Sequence, residues 1–150
     1  MDLYYNNIIN YNELYGEEQE QKLKIIKEYF GECKVLDVGC GTLLSKKYFK
    51  DVTGIDPTGI PPAIKGVAES LPFKDKEFDL VICVTVLHNV NNPEKAIQEL
   101  KRVSKGKIAI TLLKKSSKLQ CLKELTEKYF KKFKMIEEKK DIIYLIKYSE

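Results

Sequence analysis

Residues 34–56 read KVLDVGCGTLLSKKYFKDVTGID. An apolar pair, Val35-Leu36, runs into an acid, Asp37, and a glycine turn, Gly39-Cys40-Gly41, follows at once. A short helix-like segment, Leu43 to Phe49, leads to a second strand-like run, Val52 to Ile55, that ends in Asp56. Strand, glycine turn, helix, strand and acid is the unit that holds the nucleoside part of a cofactor. Its glycines allow close approach of the backbone because no Cβ intervenes. Asp56 stands where a carboxylate accepts hydrogen bonds from ribose hydroxyls.

Details of the turn separate two kinds of ligand. Dinucleotide binders read G-x-G-x-x-G and face a pyrophosphate with a helix N-terminus. Here Leu44 occupies the place of the third glycine, and Asp37 would set a negative charge near the pyrophosphate. A nicotinamide-dependent oxidoreductase is therefore the least favoured reading, and an acid at Asp37 suits a ligand with a positive end. Asp37-Val38-Gly39-Cys40-Gly41-Thr42-Leu43 resembles the D-x-G-x-G-x-G motif of class I S-adenosylmethionine (SAM) methyltransferases, with Leu43 replacing the last glycine.

The resemblance continues downstream. Ala68-Glu69-Ser70-Leu71-Pro72-Phe73 followed by Phe78-Asp79-Leu80-Val81 resembles the family's D-A-x-x-L-P-F … F-D-x-V run, with Val67 at the place of its adenine-contacting acid. Leu87-His88-Asn89-Val90 and the segment to Val103 resemble the same region of the methyltransferase 11 group, whose members act on small molecules. What the resemblance implies is SAM as cofactor. It implies a binding set of Asp37, Gly39, Cys40, Gly41, Asp56, Pro57, Ala68, Glu69 and Val84, with Tyr11 or Tyr15 of an N-terminal arm closing over it. His88, the sole imidazole, falls near the end of the fourth strand and is the expected general base.

The rest of the chain fits a Rossmann-like α/β fold: seven mostly parallel strands closing with a C-terminal antiparallel β-hairpin. One domain is expected over residues 1–150, with an arm and helix in 1–31 and the α/β core in 34–148. Glu17 to Phe30 has the apolar period of a helix, with Gly31 as its C′ residue. Pro57, Gly59, Pro61 and Pro62 exclude a regular helix after Asp56 and predict a loop feeding a short third strand near 63–67. Phe78 to Val84 is apolar apart from Asp79, as a strand covered on both faces should be. Asn92-Pro93 starts a helix that Gly106 is expected to end. Lys107 to Leu112 is the fifth strand, Ser116 or Ser117 caps the next helix to about Lys131, and 134–138 and 142–148 form the hairpin. The last strand, with Ile143, Tyr144, Leu145 and Ile146 leaving no polar face, is expected beside strand five.

Composition narrows the functional classes. Hydrophobic residues make up 43% and charged residues 32%, a globular balance, and no apolar run approaches the roughly 20 residues of a membrane span. No signal pattern opens the chain, and a cytoplasmic location is expected. Cys33, Cys40, Cys83 and Cys121 form no C-x-x-C pair, so free thiols are expected and a metal site is not. Residues 1–100 carry 11 basic and 16 acidic groups, whereas 101–150 carry 15 basic and 6 acidic. That asymmetry suits an anionic partner such as RNA or an acidic protein. Two functions follow: methyl transfer from SAM to such an acceptor, with or without a partner subunit, or a non-catalytic binding or scaffold role. The second draws on three departures from the family pattern: Leu43, Val67 and the missing helix after Asp56.

Overall fold

The computed structural model describes residues 3–149, with side chains from Glu17 onward. Helix α1 (Leu3–Phe30) leads into strand β1 (Lys34–Val38), a 3₁₀ turn over Leu44–Lys47, β2 (Asp51–Asp56) and the two-residue β3 (Ile64–Lys65). Then follow β4 (Phe78–Val84), a second 3₁₀ turn (Leu87–Asn89), α2 (Pro93–Val103), β5 (Ser104–Leu113), α3 (Leu119–Tyr129), β6 (Phe133–Glu137) and β7 (Asp141–Lys147). The sheet order is β3-β2-β1-β4-β5-β7-β6. Strands β1 to β5 pair in parallel, and β7 lies antiparallel between β5 and β6. This is the expected Rossmann-like sheet, with its last strand beside strand five.

Alternation of side chains along the strands builds two cores. Leu36, Val81, Cys83, Ile108, Ile110 and Tyr144 face α2 and α3, where Ile97, Leu100 and Leu122 meet them. Val35, Leu80, Ile82, Ala109, Ile143 and Leu145 face α1 through Leu23, Ile26 and Phe30. The strands are apolar on both faces because both are covered. The α1 side is the thinner one, since Phe49 and the 3₁₀ turn stand where a helix was expected between β1 and β2.

Several boundaries differ from expectation for identifiable reasons. The arm and first helix form one continuous helix from Leu3. Gly31, at φ 76°, ends it by donating to the Lys27 carbonyl at 2.8 Å, as its C′ role requires. Gly106 does not end α2, because β5 begins at Ser104 directly after Val103. It instead sits at φ 146° near the register shift between Phe78 and Leu80, where a Cβ would lie 2.5 Å from the Tyr148 carbonyl oxygen. Helix α3 starts only after Lys118, because the Ser116 hydroxyl oxygen accepts the Lys118 amide in a turn rather than capping the helix.

Candidate functional site

Ligands of open α/β sheets bind beyond the carboxyl ends of the strands, and the family-like residues collect there. At the end of β1, Gly39 adopts φ 74° and donates its amide to the Ile55 carbonyl at 2.8 Å. A Cβ on Gly39 would lie 2.5 Å from a Val86 methyl, so the turn can press against the chain leaving β4 only as glycine. Gly39→Ala is expected to force Val86 outward and strain the turn, lowering the melting temperature and weakening SAM affinity together. Unchanged values of both would show that Val86 yields freely.

Gly41 and Asp56 form a second joint. Asp56 Oδ2 accepts the Gly41 amide at 3.0 Å, and Oδ1 accepts the Thr58 amide at 3.0 Å and the Thr58 hydroxyl at 2.8 Å. Burial works against the charge, but these donors outweigh it and hold the carboxyl below its ordinary range. The second acid of the motif thus fastens the glycine turn to the start of the next loop.

Leu43 keeps the backbone of the glycine it replaces. It sits in the left-handed region at φ 61°, ψ 48°, a strained place for leucine. Its side chain is 5% exposed and packs over Gly54 of β2, where a Cβ would lie 2.5 Å from Leu43 Cδ1. The leucine fills space beneath the turn and does not line the cleft.

Asp37 is buried at the end of β1, where the Ser45 hydroxyl donates to its Oδ2 at 2.6 Å. Burial raises its pKa to about 6; the Ser45 bond opposes the rise and nearby Asp56 adds to it. Burial likewise pushes the Cys40 thiol up to about 12, with Asp37 and Asp56 adding, so it is a neutral thiol and not a nucleophile.

A cleft of about 220 Å³ opens beside the glycine turn. Of the sequence-predicted residues, Gly39, Pro57, Ala68 and Glu69 line it, together with Val86 and Asn91. Asp37, Cys40, Gly41, Asp56 and Val84 stand outside this lining, and the side chain of Tyr11 lies outside the described residues, as does that of Tyr15. The wall at Ala68 and Glu69 is held by the single arginine: Arg102 donates to the Leu71 and Phe73 carbonyls and to Glu99, which accepts the Leu71 amide. Glu69 Oε2 accepts the amides of Asn91 and Asn92 at 3.0 and 3.1 Å, so it ties two loops together. Val67, in the place of the adenine-contacting acid, is 46% exposed.

On the other side of the β4 end, His88 lies in the second 3₁₀ turn, with its carbonyl accepting from Lys118 Nζ at 3.1 Å. Burial first, and Lys118 next, hold its imidazole below the ordinary pKa against an opposing pull from Asp141. It is neutral at pH 7, the form a general base requires. Thr85, the first residue past β4, has φ 56°, a costly conformation for a β-branched residue. Its hydroxyl lies 3.0 Å from that of Thr111 and accepts from Lys22 Nζ at 2.9 Å. Lys22 also forms an ion pair with Asp141, and both side chains are buried. Sequence reading missed this cluster. Lys22 on the apolar stripe of α1 was the one signal, whereas Asp141 after Lys139-Lys140 read as an ordinary turn.

Comparison with known proteins converges on one family. The model of the methyltransferase domain matches residues 36–110. An archaeal relative from Methanocaldococcus jannaschii, an uncharacterized protein, is 33% identical over 144 residues, covering 85% of this chain and 69% of its own. A demethylmenaquinone methyltransferase from Renibacterium salmoninarum is 35% identical over 95 residues, covering 51% of this chain and 40% of its own. In fold, a SAM-dependent methyltransferase from Thermotoga maritima superposes with a TM-score of 0.76 at 19% identity over 95% of both chains. One from Aquifex aeolicus gives 0.60 at 20% identity over 83% of this chain and 88% of its own. The protein belongs to the methyltransferase-domain family, within the class I SAM-dependent methyltransferases. SAM is its expected cofactor, and no helix among the described residues is long and apolar enough to cross a membrane.

Proposed function

We propose that this chain transfers the methyl group of SAM to an acceptor seated past the ends of β4, β5 and β7. The observation that carries the reading is the joint of Gly41 and Asp56 beside the Gly39 turn, because it brings the motif's glycine turn and its second acid together beyond the carboxyl ends of β1 and β2. SAM supplies an electrophilic methyl already activated by its sulfonium. The protein's part is alignment. Asp56 accepts from the ribose hydroxyls, Asp37 provides negative charge toward the cationic end, and Gly39 allows close approach. Pro57, Ala68 and Glu69 border the nucleoside, with Cys40 and Val84 packed behind. Tyr11 belongs to the arm assigned to cover the cofactor. His88, neutral at pH 7, takes the proton from the acceptor.

The acceptor is large, or is presented by a partner subunit. Leu113 leads to α3 through a short turn, and β6 to β7 through three residues, Glu138 to Lys140, so neither adds a lid. The basic excess of residues 101–150 suits RNA or an acidic protein. The scaffold reading has its own support in Glu69, whose carboxylate is committed to loop amides.

The test supplies labelled SAM to the purified protein with total RNA, total protein or a metabolite extract. Label in RNA or protein supports the reading; label in the metabolite fraction alone, with the protein acting as a monomer, removes the large acceptor. Absence of transfer to all three with SAM bound favours the scaffold. His88→Gln is expected to lower turnover about 100-fold with SAM affinity unchanged. The wild-type rate should fall on acidification only below the ordinary histidine range, because burial holds the imidazole pKa down.

A further inference from the structure

We propose that Asp141 recognises the methyl acceptor by accepting a hydrogen bond, at its Oδ1, from a neutral O–H or N–H group. The inference rests on the methyltransferase reading and names the chemistry of its acceptor. Asp141 begins β7 opposite Leu113 at the end of β5, and its Oδ2 is engaged by Lys22. Its Oδ1 is buried and has no hydrogen-bond partner among the described residues. A buried carboxylate oxygen left without a donor is rare in a folded protein and calls for one.

The surroundings say where such a donor comes from. A cavity of about 290 Å³ lies between α1, from Glu18 to Lys22, and the β6–β7 turn, from Glu138 to Asp141. Lys22, which lines it, donates to the Thr85 hydroxyl just past the end of β4. The Thr85 hydroxyl joins the Lys22 and Thr111 cluster on the α1 side, whereas the next residue, Val86, lines the cleft and meets Gly39. The left-handed backbone of Thr85 sends neighbouring side chains to the two compartments. A group held at Asp141 is therefore separated by β5 from the chain that leaves β4 and borders the cofactor at Val86.

Charge selects the class of donor. Lys22 and Asp141 form a neutral pair, so a cation reaching Oδ1 meets the Lys22 ammonium, and an anion meets the carboxylate. A neutral hydroxyl or N–H meets neither penalty and satisfies the oxygen.

The test titrates protein loaded with S-adenosylhomocysteine with size-matched probes, following amide resonances by NMR. Phenol is expected to shift the signals of Leu113 and Asp141 and to bind about 10-fold tighter than toluene. Benzylammonium and benzoate should bind no better than toluene. The double variant Lys22→Met/Asp141→Leu replaces the pair by apolar side chains, a change buried pairs often tolerate. It should keep affinity for S-adenosylhomocysteine and lose the preference for phenol. Equal binding of phenol and toluene, preference for either charged probe, or a preference that survives in the double variant overturns the inference. A wild type that binds neither SAM nor S-adenosylhomocysteine overturns the methyltransferase reading beneath it; cofactor binding without phenol preference overturns the inference alone.

Discussion

Replacing Asp56 by alanine is expected to weaken SAM binding roughly 10- to 100-fold, the effect of losing a hydrogen bond to a charged group worth about 1.5–3 kcal/mol. Two losses coincide in this variant. The ribose loses its acceptor, and the Gly41 and Thr58 amides lose theirs, so the glycine turn and the loop after β2 come apart. Thr58→Ala separates the two. The Thr58 hydroxyl occupies Asp56 Oδ1 at 2.8 Å, in competition with a ribose hydroxyl. Removing it should leave SAM affinity unchanged or improved while Asp56→Ala remains weak. Calorimetry of the three proteins decides the matter, and an Asp56→Ala protein that binds SAM like the wild type refutes the assignment.

Asp37→Asn should change both stability and its pH dependence. The folded-state pKa of Asp37, about 6, lies above its ordinary value of 3.8 because burial penalises the charge. A carboxyl with a raised pKa favours folding fully below its ordinary pKa, and that contribution is lost as pH rises through about 6. Integrated over the shift, this is about 2–3 kcal/mol at neutral pH. Asparagine keeps an oxygen for the Ser45 hydroxyl and carries no charge. The variant without cofactor should therefore melt higher than wild type at pH 8 and close to it at pH 4. Cofactor binding reverses the preference. A cationic ligand favours ionised Asp37, so wild-type SAM affinity should rise about 10-fold between pH 5 and 7 with release of a proton, and the asparagine variant should bind weakly at both. An affinity indifferent to pH and to the substitution would make Asp37 a purely structural acid.

Local signals wrote much of this fold in the sequence. Phe78 to Val84 was legible because a strand covered on both faces is apolar over nearly its whole length, here from Leu80 to Val84, with Asp79 alone reaching solvent. The α2 start was legible because the Asn92 side chain accepts the Lys95 amide and Pro93 needs no donor partner. The central place of β7 followed from its lack of a polar face. Features set by distant partners were not legible. Leu43 read as a departure from the family pattern, yet the direction of its side chain depends on the space above Gly54. Glu69 stood in the expected binding set, but amides more than twenty residues later claim its carboxylate. Gly106 looked like a helix stop because glycine carries that meaning locally, and only the Tyr148 carbonyl across the sheet explains it.

The position of β7 between β5 and β6 has a consequence for how the chain reaches this state. Strand β6 pairs only with β7, and β5 meets its second neighbour only when β7 arrives. The same strand brings Asp141 to Lys22, 119 residues earlier in the sequence. Before residues 141–147 have been synthesised, β5 presents an open edge, β6 has nothing to bind, and Lys22 on α1 lacks its counterpart. Such long-range closure slows folding, because loop entropy is spent before the contacts that offset it form. A nascent chain therefore carries its glycine turn and first strands as a local unit, but the acceptor side assembles last, after translation has passed the turn at Glu138 to Lys140.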